Sequence, residues 1–389
     1  MNEPIFIARQ DTLEQEILPA HWLAQYKLFG EESYTFQDKG IWKKLCMSSA
    51  AANDRDIHAE ALEEMLTTFS AEHTGKWMLL VYGMDAAALE GLATMAAIAA
   101  NGTAMGAIVD NALLMHAIAN SETAMQRIAN SQTAMQRVAN NRGAMDAIGR
   151  SRIARDAVQA SPYYNSCIKE NDMAIAKLVV GFANLESAGY SGMAGVAADS
   201  TAMTAVAASS VARNAISASP YYDEKIKEND MAIAKLVVGF ANLASANYSS
   251  MAGVVADATA MTAVAASSTA MTAVAASATA MGKIAAVDAA LSKLAASTTA
   301  MDALYARKKK LNGGSASKSG KFIILEISAS NAFNTSKYGY ATLSDGSKPD
   351  WSSYLAKYAF FRQYPKYATY MLNDTDSDDY IYYFDIASP

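Results

Sequence analysis

Two cysteines in 389 residues are too few for a disulfide framework. As free thiols, Cys46 and Cys167 fit assembly in a reducing cytosol. Histidine is nearly as scarce. The four, His21, His58, His73 and His116, are scattered, and none pairs with a cysteine or carboxylate at metal-ligand spacing. For His58 and His73 a surface or capping role is expected. No nucleophile elbow, phosphate loop or zinc-protease helix motif occurs, so the chain is not expected to be an enzyme and no cofactor is implied. Long apolar runs are missing too. The stretches around Val81 and Val179 are short and broken by polar residues and glycine, which argues against membrane insertion. The N-terminal residues lack the basic and apolar regions of a secretory signal. A formal net charge of −6 gives no electrostatic case for nucleic acid or an anionic membrane as partner.

What is present is a ten-residue repeat. Methionines stand at Met95, Met105, Met115, Met125, Met135 and Met145, each followed three residues later by a branched aliphatic such as Ile128 or Val138. The series resumes in a shifted frame at Met193 and Met203 and again from Met251 to Met301, with Leu291 filling one gap. A longer repeat lies over it: the segment from Ser161 through Asn184 recurs from Ser219 through Asn242, 58 residues on. Such regularity means that each unit buries its apolar side against its neighbours. One continuous helix is excluded, because ten residues fall roughly 80° short of three full turns and the apolar stripe would rotate off any fixed face. Ser, Thr, Asn and Asp recur at one phase, where they can cap a helix start. Each unit therefore reads as a helix of about two turns plus a tight bend, stacked antiparallel on the next. Met125, Ile128, Met135, Val138, Met261, Val264, Met271 and Val274 are expected inside, and Gln126, Arg127, Gln136 and Arg137 outside.

The fold class is α+β, in four parts. Residues 1–85 form an N-terminal adaptor, with a helix from about Asp54 to Phe69 and an ambiguous strand or helix at Trp77–Tyr82. Residues 86–306 form a long array of short stacked helices, α-solenoid-like. Residues 307–320 are a basic helix end, Arg307-Lys-Lys-Lys310, and a Gly/Ser hinge. Residues 321–389 form a small β domain of five strands, around Phe322, Tyr338, Tyr358, Tyr367 and Tyr380. Its aromatics suggest a surface that grips sugar or protein. Tyr380 and Tyr382 share one strand face, and the candidate binding residues are Trp351, Tyr354, Tyr367 and Tyr380. Asp374, Asp376 and Asp378 alternate like a calcium loop and Asp385 stands twelfth, but Asp379 occupies the position where such a loop requires glycine. An acidic turn is the expectation there, with no metal.

An adaptor, a decamer array of the Ser-x-Thr-Ala-Met-x-Ala-Val-Ala kind over residues 91–306, a Gly/Ser hinge and a β tip together resemble tail-fibre proteins of bacteriophages. The resemblance implies a structural virion protein. It would attach to other tail or baseplate proteins through its N-terminal segment and recognise a host-surface glycan or protein through its tip. It implies synthesis in the host cytoplasm, release by lysis, and a possible homo-oligomer, with a trimer favoured. The rivals are an ice- or surface-binding repeat protein, suggested by Thr103, Thr123, Thr133 and Thr201, and a bacterial surface adhesin.

Overall fold

The computed structural model describes residues 55–67, 74–82, 84–328, 339–351, 355–374 and 379–389. Most of the expected adaptor, with Cys46, His21 and His73, lies outside the described residues. The chain forms two compact units, Met1–Met193 and Ala194–Pro389. Helices dominate both, and a small antiparallel sheet lies near the C-terminus. The ambiguous segment at Trp77 is helical, Thr74–Tyr82, beside the expected helix at Arg55–Thr67. His58 is not a surface residue: it is buried, with Nδ1 3.2 Å from the Tyr82 hydroxyl.

In the first unit the decamers become helices of six to nine residues, among them Gly102–Asp110, Ala112–Ala119, Glu122–Ala129, Gln132–Ala139 and Arg142–Arg150. The polar residue at each junction caps the next helix. Asn101, Asn111, Ser121, Ser131, Asn141 and Ser151 all accept from a backbone N–H two or three residues ahead. Met125, Ile128, Met135 and Val138 are buried, while Gln126, Arg127, Gln136 and Arg137 are exposed.

Consecutive helices are not antiparallel, contrary to the expectation from sequence. Gly102–Asp110 and Ala112–Ala119 bend by 102° at the single residue Asn111. One extended residue cannot reverse the chain, since antiparallel helices need a loop of about two to five residues. Each helix packs instead on the one three further along. Gly102–Asp110 lies against Gln132–Ala139, Ala112–Ala119 against Arg142–Arg150, and Glu122–Ala129 against Arg152–Ala160.

Serine at the junction joins these layers. Ser131, Ser151 and Ser161 donate their hydroxyls to Ala99, Ala119 and Ala129 carbonyls at 2.5–2.6 Å, each 32 residues back. One side chain thus satisfies an orphan N–H of its own helix and an orphan C=O of the helix beneath.

The second unit repeats the pattern. Asp230–Phe240 packs on Ser268–Ala275, which packs on Thr298–Ala306, and Ala258–Ala266 packs on Asp288–Ala296. The bend between Ala258–Ala266 and Ser268–Ala275 is 98°. Met261, Val264, Met271 and Val274 are buried as expected. The 58-residue repeat is repeated structure as well. Asp172–Phe182 and Asp230–Phe240 are identical in sequence, almost wholly buried, and followed by left-handed Asn184 and Asn242. In this unit Glu228 accepts from the Ala278 and Thr279 amides, and Ser277 donates to the Lys227 carbonyl.

The C-terminal sheet has the order β1-β6-β2-β5-β3-β4, antiparallel throughout. Its strands are Lys309–Asn312 (β1), Ala316–Ser328 (β2), Gly339–Leu343 (β3), Asp350–Trp351 (β4), Ala368–Asn373 (β5) and Tyr380–Asp385 (β6). Two expectations change. Residues 307–320 are not a hinge. The basic run enters β1, and Gly313-Gly-Ser315 is the turn into β2, with Gly314 and Ser315 at positive φ. The segment after Tyr358 is not a strand but a helical turn, Ala359–Gln363, entered through left-handed Tyr358 and burying the adjacent Phe360 and Phe361.

One face of the sheet closes the last array helices: Ile323, Leu325, Phe384 and Ile386 share a core with Leu294, Met301 and Leu304. The other face carries Phe322, Ile324, Met371, Ile381 and Tyr383 under Trp351 and Phe360. A repeat array needs such a cap, because its last unit has no successor to cover its apolar side.

Candidate functional site

The expected recognition residues part company. Trp351 is a core residue, 3% exposed, with its ring edge-on to Phe360 at 5.8 Å and seated over Gly339. Its strand is too short and too covered to display it. Tyr354 lies outside the described residues. Tyr367 is half-buried against the array core, with Lys321 Nζ 5.6 Å from its ring. Tyr380 is half-exposed on β6, and the structure places it in a different group.

That group begins with strand periodicity. Lys310 pairs with Tyr382 and Asn312 with Tyr380, so the four side chains share one face of β1 and β6. Lys308, two residues before Lys310, lies on the same side. This is the face that caps the array, but here it extends past the last helix, and Tyr305 from Thr298–Ala306 meets it. Tyr305 and Tyr382 stand edge-to-face at 5.9 Å, and Tyr380 and Tyr382 lie 4.4 Å apart. Lys308 Nζ is 4.1 Å from the Tyr305 ring centre and 5.0 Å from that of Tyr382, and Lys310 Nζ is 4.9 Å from Tyr380.

Hydrogen bonds fix the floor of this corner. The Tyr305 hydroxyl donates to Glu326 Oε2 at 2.6 Å, and Tyr358 donates to Asp302 Oδ1 at 2.5 Å. Lys357 Nζ sits 3.1 Å from the same Asp302 oxygen and 4.4 Å from the Tyr305 ring. Burial, then the Glu326 contact, holds the Tyr305 phenol well above its ordinary value. The Tyr358 bond, then Lys357, holds the Asp302 carboxyl below the usual carboxylate range. The corner therefore presents ammonium groups lying over phenol rings. Such an arrangement can hold an anionic or hydroxyl-bearing ligand.

No protein-family model matches the chain, and no curated protein matches it. The site must be read from its own chemistry.

Among the described residues no group of three or more His, Cys, Asp and Glu side chains could hold a metal. Asp374 accepts from the Ser315 hydroxyl, Asp385 pairs with Lys309, and Asp376 and Asp378 lie outside the described residues. Sequence reasoning passed over Tyr305 and the lysines, because Arg307-Lys-Lys-Lys310 reads as a helix end. The available signal was the shared alternation of Lys308 and Lys310 with Tyr380 and Tyr382.

Proposed function

We propose that this chain is a non-enzymatic structural protein of the bacteriophage tail-fibre kind, in which a helical array carries a C-terminal recognition domain. The array is a solenoid of three short helices per turn, thirty residues to a layer, supported by the packing of each helix on the third one after it. The observation that carries the recognition reading is the division of one sheet face. Part of it caps the array through Ile323, Leu325, Phe384 and Ile386, while the remainder holds half-exposed Tyr380 and Tyr382 beneath lysines. A pure cap has no need of the second part. In this reading the N-terminal segment attaches to other virion proteins, the particle is assembled in the host cytoplasm and released by lysis, and the fibre is a homotrimer.

The ice-binding rival loses support at one of its four threonines. The Thr123 hydroxyl donates to Glu63 Oε1 at 2.6 Å.

The test is binding of the labelled full chain to a panel of bacterial cells. Saturable binding to a subset, blocked by antibodies against residues 307–389 and not by antibodies against residues 1–85, is expected. The opposite blocking pattern reverses the polarity, and no binding to any cell overturns the reading.

A further inference from the structure

Resting on that recognition reading, we infer that the corner formed by Tyr305, Lys308, Lys310, Tyr380 and Tyr382 is a binding site for an acidic polysaccharide whose carboxylates meet the two lysines.

The first argument is unspent charge. Lys357 has Asp302 at 3.1 Å and Lys309 has Asp385 at 3.5 Å. Lys308 and Lys310 have no ion pair among the described residues, and their ammonium groups rest only over tyrosine rings. A lysine held over a ring keeps its three donors, and those directed away from the ring are free for an anion. In a chain of net charge −6, two uncompensated cations on one strand face make a local attraction that the molecule as a whole does not offer.

The second argument is the company they keep. The Tyr380 and Tyr382 hydroxyls make no hydrogen bond within the protein among the described residues, although both rings are held by β6 between β1 and β2. Free phenols on fixed rings suit a ligand that brings both hydroxyls and C–H faces, as a sugar does. An acyl chain would want an apolar pocket, and the apolar part of this face is already filled by the array.

The third argument is charge density. Glu326 and Asp302 border the corner, each engaged by a tyrosine hydroxyl. A duplex with one phosphate per about 1.7 Å of axis would set several charges against those carboxylates. A polymer with one carboxylate per sugar residue can place its charges at Lys308 and Lys310 and its hydroxyls elsewhere. Strand geometry sets those lysines about 7 Å apart along the backbone.

The experiment measures binding of the full chain to polygalacturonate, to neutral dextran and to a DNA duplex by isothermal titration calorimetry, for wild type and for Lys308→Gln/Lys310→Gln. Saturable binding to polygalacturonate that weakens in high salt is expected, with neither dextran nor DNA bound comparably. The double variant should lose about tenfold in affinity, the scale of one or two charge-assisted contacts, at an unchanged melting temperature. If the double variant melts early, Lys310→Gln alone decides, because that side chain is exposed on the edge strand; its expected loss is about threefold. Equal binding by the variants, equal binding of dextran, tighter binding of DNA, or no binding of polygalacturonate overturns the assignment. Cell binding separates the two readings: if bacteria still capture the double variant as they capture wild type, recognition stands and this site does not. If wild type binds no cells, the recognition reading itself has failed.

Discussion

At the scale of single residues, the 58-residue repeat is a built-in comparison of one buried lysine in two settings. Lys177 is fully buried with Nζ 2.5 Å from Asp146 Oδ1 and 3.0 Å from the Ser187 carbonyl. Lys235, its counterpart, is as buried, but Thr204 stands where Asp146 would be, and its Nζ meets only the Ser245 and Ala246 carbonyls at 3.1 and 3.5 Å. Burial holds the Lys235 amine below the usual lysine value. The unfolded chain therefore binds that proton more tightly than the folded one. Stability from this site is lost as pH falls from the unfolded lysine value, about 10.4, to the depressed folded value, and regained as pH rises through the same window. Thr204→Asp should raise the melting temperature at neutral pH, by about 1–3 kcal/mol in stability, and flatten its rise toward alkaline pH; calorimetry across pH checks both effects. Removing the existing partner tests the converse: Asp146→Ala should destabilise by about 3 kcal/mol, because it strands a buried ammonium. Ser151 is a smaller case. It caps Arg152–Ala160 and also donates to the Ala119 carbonyl at 2.5 Å, so Ser151→Ala should cost about 2 kcal/mol in denaturant unfolding, more than a cap alone.

At the scale of elements, the array was legible in its units but not in their arrangement. Methionine, a branched aliphatic three residues on and a capping Ser or Asn fix helix length and buried face, which is why Met125, Val138, Met261 and Val274 lie inside as read. The turning angle is set instead by backbone torsions at one junction residue, φ −93° and ψ 101° at Asn111. Periodicity does not encode it, and two antiparallel helices per layer gave way to contacts three helices apart. The C-terminal domain shows the same division. β2, β5 and β6 alternate visibly, whereas β1 pairs with β6 across most of the domain, so Gly313-Gly-Ser315 read locally as a hinge. Trp351 reads from sequence as a recognition aromatic at the start of the loop to Tyr354, and only the tertiary fold seats it over Gly339. Tyr380 and Tyr382 share a face by strand alternation alone, and that juxtaposition is visible in the sequence. The cap formed by this domain gives the prediction at this scale. Phe384 is fully buried between sheet and array, and Phe384→Ala should cost about 3–4 kcal/mol. If the sheet is the closing layer, the exposed array end should also promote association. Light scattering of the variant should then show oligomers that a conservative Phe384→Leu variant lacks.

At the scale of the whole molecule, the layer rather than the decamer is the conserved quantity, and this can be tested in the second unit. The segment from Ala258 through Val287 spans one layer of thirty residues. Duplicating it in tandem should leave every helix facing a partner three helices away, with Asp288–Ala296 meeting a copy of the Ala258–Ala266 helix it already packs on. Ser297 would still find a carbonyl 32 residues back in an equivalent position, as it finds Ala265 in the parent. Repeat stability is close to a sum of unit and neighbour terms, so the enlarged chain should melt at or above the parent temperature with proportionately more helix signal in circular dichroism. Duplicating only Ser268 through Ser277 adds the same kind of helix but advances the layering by one third of a turn. Asp288–Ala296 would then face the Ser268 helix, and the cap meant for Thr298–Ala306 would sit one position out of phase with the helices below it. The shorter insertion should therefore be the more destabilising, although it adds fewer residues and every decamer in it is native. Equal melting temperatures for the two insertions would mean that the decamer sets the architecture, and the three-helix layer would have to be abandoned.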